Sequence, residues 1–206
     1  MAETKLKQNK APRVGRPPAF NREQALESAL DVFWRKGYEG ASISDLTEAM
    51  GLNPPSLYAA FGNKEELFRK ALDRYTEKHD AFLKKALARP KAREAIAALL
   101  TGSADTLTDK SNPPGCLLVQ GIAGSGEHAK CIRDQLTARR GANERMIRER
   151  LKRAKAEGDL PEGADPTALS RYIATVTEGM AVQAVGGATR AELRRTAETA
   201  MAAWPK

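Results

Sequence analysis

Aromatic residues make up only 5% of these 206 residues, and cysteine and histidine occur twice each. Each scarcity removes a class of chemistry. Cys116 and Cys131 are too few for a disulfide framework or a zinc set. His79 and His128 stand on separate predicted helices, HExxH and G-x-S-x-G do not occur, and no metal site is expected. Gly121 to Gly126 has the outer spacing of a phosphate loop. However, Glu127 and His128 follow where Lys and Ser/Thr are needed, and no strand precedes it. The sequence therefore predicts no enzyme and no cofactor. No apolar run approaches the roughly 20 residues of a membrane span, and the N-terminus has no apolar signal segment. The expectation is a protein of the reducing cytoplasm without membrane contact.

What is present favours helices. Hydrophobic residues reach 41% and alanine is plentiful, which points to an all-α fold. The net charge is +8 and unevenly placed. Residues 1–18 carry Lys5, Lys7, Lys10, Arg13 and Arg16 against Glu3, with several prolines and no periodicity, and predict a flexible basic arm. A denser basic block lies at 130–155 and is expected to form a solvated helix face. Positive charge attracts polyanions in general without saying which face binds.

The segment Ser42 to Gly62, SISDLTEAMGLNPPSLYAAFG, is more specific. Ile43, Leu46 and Met50 recur at helical spacing, and Gly51 supplies the C′ residue that ends this helix. Asn53 can cap the next helix, with Pro54 in its first turn. Leu57 and Phe61 return to the core side at i and i+4, and Gly62 closes the helix. A short second helix with a polar start, entered through a glycine turn, is the arrangement by which helix-turn-helix proteins enter the major groove.

Around it, Phe20-Asn21-Arg22-Glu23 opens an earlier helix, Phe33-Trp34-Arg35-Lys36-Gly37-Tyr38 closes it, and Asn63-Lys64-Glu65-Glu66-Leu67 opens a later one. Taken together, residues 20 to 68 resemble the DNA-binding domain of the TetR family of transcriptional repressors (TetR/AcrR-like). Pro114-Gly115-Cys116-Leu117-Leu118-Val119 resembles one branch of that family. The resemblance implies a three-helix helix-turn-helix domain at 19–64 and a helical effector-binding and dimerisation domain at 65–206. It further implies a homodimer, a palindromic DNA operator, an unknown small-molecule effector, and a phosphate contact from Lys64.

Residue types supply further DNA contacts. Ser42 and Ser44 sit at a helix N-terminus, where hydroxyls, N–H groups and the positive dipole end favour phosphate. Asn53, Pro55 and Ser56 form the exposed start of the recognition helix, with a thymine methyl and a base edge as natural partners. Tyr58 faces outward when Leu57 and Phe61 face inward. Arg13 and Arg16 can reach a neighbouring minor groove. No Arg, Asn or Gln lies between Pro54 and Phe61, so DNA shape is expected to share the readout.

Further helices are expected at about 21–36, 63–88, 91–107, from Cys116, through the basic block to about 157, at 166–185, and from Thr189 to near Trp204. Capping-box spacings occur at Asn21/Gln24, Asn63/Glu66 and Thr189/Glu192, and Asp165 is a cap. The last two helices carry the stripes Leu169, Ile173, Val176, Met180 and Leu193, Ala197, Ala200, Trp204. Packing into their own domain is one reading of these stripes; the resemblance assigns them to the dimer interface. Cys116 and Cys131 raise the alternative of a thiol-switched repressor, against the plain reading of Cys116 as a buried apolar residue. A helical cytosolic protein with a vestigial motif is the remaining alternative.

Overall fold

The computed structural model describes residues 21–123 and 130–205. Among these it forms nine helices and no strand: α1 (Arg22–Gly40), α2 (Ile43–Met50), α3 (Pro54–Phe61), α4 (Lys64–Leu87), α5 (Ala92–Leu107), α6 (Leu117–Ala123), α7 (Lys130–Ala156), α8 (Pro166–Val185) and α9 (Arg190–Ala202). The all-helical class is as expected, with a helix-turn-helix unit followed by a helical body. The arm with Arg13 and Arg16, the glycine-rich stretch 124–129 and His128 lie outside the described residues.

Helix ends follow side-chain chemistry. Asn63 and Glu66 close the expected capping box on α4, and Thr189 and Glu192 close the one on α9. Asp165 caps α8 through the Thr167 N–H. A further box joins Ser42 and Asp45 at α2. At Asn21 only half of a box forms: Oδ1 accepts from the N–H groups of Glu23 and Gln24, with no return bond from Gln24 among the described residues. Gly37 adopts φ 69°, so the regular turn of α1 breaks just after Lys36, where the sequence predicts its end.

The apolar core has two clusters. One gathers Phe33, Leu46, Leu57, Phe61 and Phe68 of α1–α4 and continues through Leu117, Leu118, Leu136 and Met180 into α6, α7 and α8. The other joins the far half of α4 to α5, α7, α8 and α9 around Leu83, Ile96, Leu100, Leu151 and Ile173. Helix α4 enters both. A single continuous helix thus joins the far end of the body to the end that adjoins α3.

The basic helix α7 differs from the expected solvated face. Arg150 is 5% exposed. Its guanidinium donates to the carbonyls of Leu87, Arg89 and Pro90 at 3.1, 3.0 and 2.9 Å, capping the C-terminal end of α4. Arg139 reaches Asp73 and Thr76 on α4, and Arg140 bonds Glu178 on α8 at 2.9 Å. Three of the block's arginines thus tie α7 to its neighbours. A helix placed among several others must use part of its polar face internally, which charge counting alone does not reveal.

Candidate nucleic-acid interface

The turn between α2 and α3 is built by backbone geometry. Gly51 takes the left-handed conformation, φ 64°, and the Leu52 N–H returns to the Thr47 carbonyl at 3.0 Å. Asn53 then starts α3, its Oδ1 accepting from the Ser56 N–H at 2.9 Å. Leu57 and Phe61, 0% and 1% exposed, anchor α3 to the core. The opposite face consists of Pro54, Pro55, Tyr58 and Ala59, all exposed, with Tyr58 at 48%.

Supports surround this helix. Arg22 of α1 donates to the Ala60 carbonyl at 2.6 Å, and its guanidinium lies 5.3 Å from the Phe61 ring centroid. Lys70 of α4 donates to the Phe61 carbonyl at 2.9 Å. The Lys64 ammonium sits 4.6 Å from the Tyr38 ring centroid, where partial burial lowers its pKa. That contact fixes a cation at the junction of α3 and α4.

At the start of α2, the Ser42 Oγ accepts from the Asp45 N–H, and the Asp45 carboxylate accepts from the Ser42 N–H, both at 3.0 Å. Lys36 adds a 2.7 Å ion pair. The Lys36 contact and the Ser42 hydrogen bonds bring the Asp45 carboxyl down to about 2. Ser42 is thus a cap whose own O–H remains a donor. Asn53 is likewise a cap that keeps its amide NH2 for donation.

The structure leaves Ser42, Ser44, Asn53, Pro55 and Tyr58 exposed, with Ser56 and Lys64 half-buried. The supporting contacts of Arg22, Tyr38 and Lys70 escaped the reading of the sequence. Arg22 lies 38 positions from its partner, and no local pattern signals such a contact.

Two sets of residues singled out in the body, the apolar stripes of the last two helices and the cysteines, have the following places. Ile173, Met180, Leu193, Ala197 and Ala200 are buried within their own chain, Ile173 and Met180 at 1% exposure, and Leu169, Val176 and Trp204 are half-buried against the same cores. Within the protomer, the most apolar stripe of each helix thus faces the chain's own core. The exposed stripe of α8 is different: Ala168, Tyr172, Thr175, Gly179 and Val182, with Val182 at 56%. It carries no charge and follows the helical repeat i, i+4, i+7, i+11, i+14.

The cysteines do not meet. Cys116 is buried and accepts a 3.1 Å hydrogen bond from the Tyr75 hydroxyl; burial raises the pKa of both groups and keeps the thiol protonated. Cys131 is exposed, its sulfur 3.4 Å from a Glu65 carboxylate oxygen and 3.5 Å from an Arg69 nitrogen. From Glu65 to Tyr75, α4 rises roughly 15 Å.

Cys116 lines a cavity of ≈ 90 Å³ bounded by α4, α5, α6, α7 and α8, with Tyr75, His79, Leu99, Arg140 and Thr177 among its walls. Among the described residues no cluster of His, Cys, Asp and Glu could hold a metal ion, and no helix is long and apolar enough to cross a membrane.

An exposed short helix on a glycine turn, backed by a three-helix core that continues into a helical body, defines a helix-turn-helix DNA-binding protein. Comparison with known proteins narrows this. Residues 25–71 match the model for bacterial regulatory proteins of the tetR family, and residues 92–204 match the tetracyclin repressor-like C-terminal domain. The HTH-type transcriptional repressor ComR of Escherichia coli (strain K12) is 35% identical over 196 residues, which cover 93% of this chain and 92% of ComR. BdcR, an HTH-type transcriptional repressor of the same organism, is 30% identical over 198 residues, covering 94% and 93%. The structure of a cysteine mutant of CifR, a TetR family regulator complexed with 26 bp double-strand operator DNA, superposes with a TM-score of 0.88. Its sequence identity is 45%, and the match covers 92% of this chain and 100% of that one. The chain belongs to the TetR family of bacterial transcriptional regulators.

Proposed function

We propose that this protein is a homodimeric repressor that holds a palindromic operator and releases it when a small molecule enters the helical body. The observation that carries the reading is the exposed, uncharged face of α3, presented from a rigidly capped turn while Leu57 and Phe61 lock it from behind. The likeness to a CifR chain bound to operator DNA supports it. Ser42 and Ser44 meet backbone phosphate with donors and a helix N-terminus. Tyr58 reaches a phosphate or base edge, and Lys64 supplies fixed positive charge. Pro55 and Ser56 touch base edges, with Asn53 beside them. With no Arg, Asn or Gln in the middle of α3, groove shape shares the discrimination.

Dimerisation uses the outer stripe of α8, Tyr172 to Val182, in place of the buried one. Two α3 helices roughly 34–36 Å apart then read both halves of a palindrome. The effector occupies the cavity around Tyr75 and Arg140. It favours a body conformation that α4 transmits to α3, with a coupling of about 1–3 kcal/mol. The cytoplasm, where bacterial DNA lies, is the site of action.

A thiol-switched version has one observation in its favour, namely that Cys116 lines this cavity. The buried, protonated state of that thiol and its distance from Cys131 argue against it. Regulation that survives Cys116→Ser decides for the non-covalent effector.

The contact face is tested with Tyr58→Ala and Lys64→Ala in fluorescence anisotropy on operator DNA. Each is expected to weaken binding roughly tenfold on specific and unrelated sequences alike, and Lys64→Ala to shallow the salt slope by about one. Unchanged affinity in both removes α3 and the start of α4 from the interface.

A further inference from the structure

Helix α3 has no charged residue of its own; its sequence is PPSLYAAF. A helix of this length is marginal by itself, and its last carbonyls have no partner within the helix. The Gly62 N–H takes the Tyr58 carbonyl at 3.0 Å. Two further carbonyls are met from other helices. Arg22, the first residue of α1, donates to the Ala60 carbonyl at 2.6 Å, and Lys70 of α4 donates to the Phe61 carbonyl at 2.9 Å. The Arg22 guanidinium also lies 5.3 Å from the Phe61 ring centroid. Two cations imported from α1 and α4 thus stand at the C-terminal end of α3, where the helix dipole favours positive charge.

The two ends of α3 are therefore fixed in different ways. Its start is tied within the motif, by the Gly51 turn and the Asn53 cap. Its end is tied to both neighbouring helices. Between them, Leu57 and Phe61 hold α3 by apolar burial, which has no preferred direction. Hydrogen bonds do have one, so the Arg22 and Lys70 contacts define the rotation and tilt of the helix over its buried stripe. A binding constellation tolerates only about 0.5 Å or 10–20° of misplacement. Phosphate attraction survives a tilted helix, whereas contact with base edges does not.

We infer that Arg22 and Lys70 are positioning residues for sequence readout. They clamp the end of α3 so that Pro55, Ser56 and Tyr58 meet base edges in one register. Their effect on DNA rests on the repressor reading above, whereas the clamp is a property of the free chain. Arg22 is exposed and Lys70 half-buried, so water replaces the lost donors when either is removed. What disappears is the direction of α3 rather than the fold.

The test uses the full chain with Arg22→Met and Lys70→Met, which keep an unbranched apolar stem and remove the donor. Fluorescence anisotropy is measured on the duplex most enriched from random DNA by the parent and on a scrambled duplex of the same composition. Each variant should lose roughly tenfold on the enriched duplex and less than about twofold on the scrambled one, with the salt slope unchanged. Arg22→Lys and Lys70→Arg return a charged donor and should restore the selectivity. In the free protein, amide hydrogen exchange from Tyr58 to Gly62 should quicken roughly tenfold in the Met variants, while the amides in the middle of α4 stay protected and report an intact fold.

Undiminished selectivity in both Met variants overturns the positioning role. Equal losses on both duplexes, with a salt slope shallower by about one, also overturn it, because they mark direct phosphate contacts. So does selectivity that neither Arg22→Lys nor Lys70→Arg restores. If the parent enriches no sequence, the repressor reading falls and exchange alone decides: quickened amides at the end of α3 uphold the clamp, and unchanged ones overturn it.

Discussion

The DNA-binding unit and the helical body keep their shapes by contacts of different reach. Around α2, α3 and α4 the helix caps are local, Ser42 with Asp45, Asn53 with Ser56, Asn63 with Glu66, each spanning three positions, and Arg22 adds one contact from 38 positions away. In the body the defining bonds are distant. Arg150 reaches back 60 to 63 positions to three carbonyls, Arg139 63 positions to Thr76, and Arg194 89 positions to Asp105. Local bonds fix the pose of a small recognition element. Distant ones tie the helices of the body to one another.

The sharpest way to break this contrast is to remove a distant bond. Arg150→Ala strips the end of α4 of its capping guanidinium and leaves buried carbonyls unpaired; we expect a loss of about 2–4 kcal/mol by urea denaturation. Arg153→Ala, whose side chain is 58% exposed on the same helix, should stay within about 0.5 kcal/mol. Equal effects would mean that exposure on α7 does not govern its role.

Next in size is the outer face of the body. Val182→Glu places charge on the uncharged stripe of α8 and should weaken dimerisation roughly thirtyfold, about 2 kcal/mol, by analytical ultracentrifugation, with helical content retained. Ile173→Glu, inside the protomer, should instead unfold the chain. Dimers indifferent to Val182→Glu would move the interface elsewhere.

The smallest effect belongs to the local bonds. The Asp45 carboxyl titrates at about 2 in the folded chain, against about 3.9 when unfolded. A depressed pKa contributes stability that is complete above the unfolded value and fades as pH falls through the folded one. Between pH 4 and 2 the parent should therefore lose stability more steeply than Asp45→Asn. Identical slopes in acid denaturation would deny Asp45 its part in the cap.

The same contrast explains what was legible in the sequence. The caps at Asn63, Asp165 and Thr189, the Gly51 turn and the inward pair Leu57 and Phe61 depend on residues a few positions apart, and each could be read in advance. Periodicity also found the stripes of α8 and α9, but it reports that a face is apolar and not which surface covers it. For Ile173 and Met180 it left the chain's own core as one reading while the family resemblance assigned them to a partner, and the fold places both in that core. Arg150 reads as one more cation in a basic run, because its three carbonyl partners lie on another segment. Trp34 reads as part of the motif that closes α1, and only the fold shows that its N–H is buried with no partner among the described residues.

The central claim, that two copies of the α3 face read a palindrome, is tested most directly by selecting binding sites for the intact protein from random duplex DNA. An enriched inverted repeat with half-sites about one helical turn apart is the predicted result. A folded, dimeric protein that enriches no sequence, or only a single half-site, would contradict it.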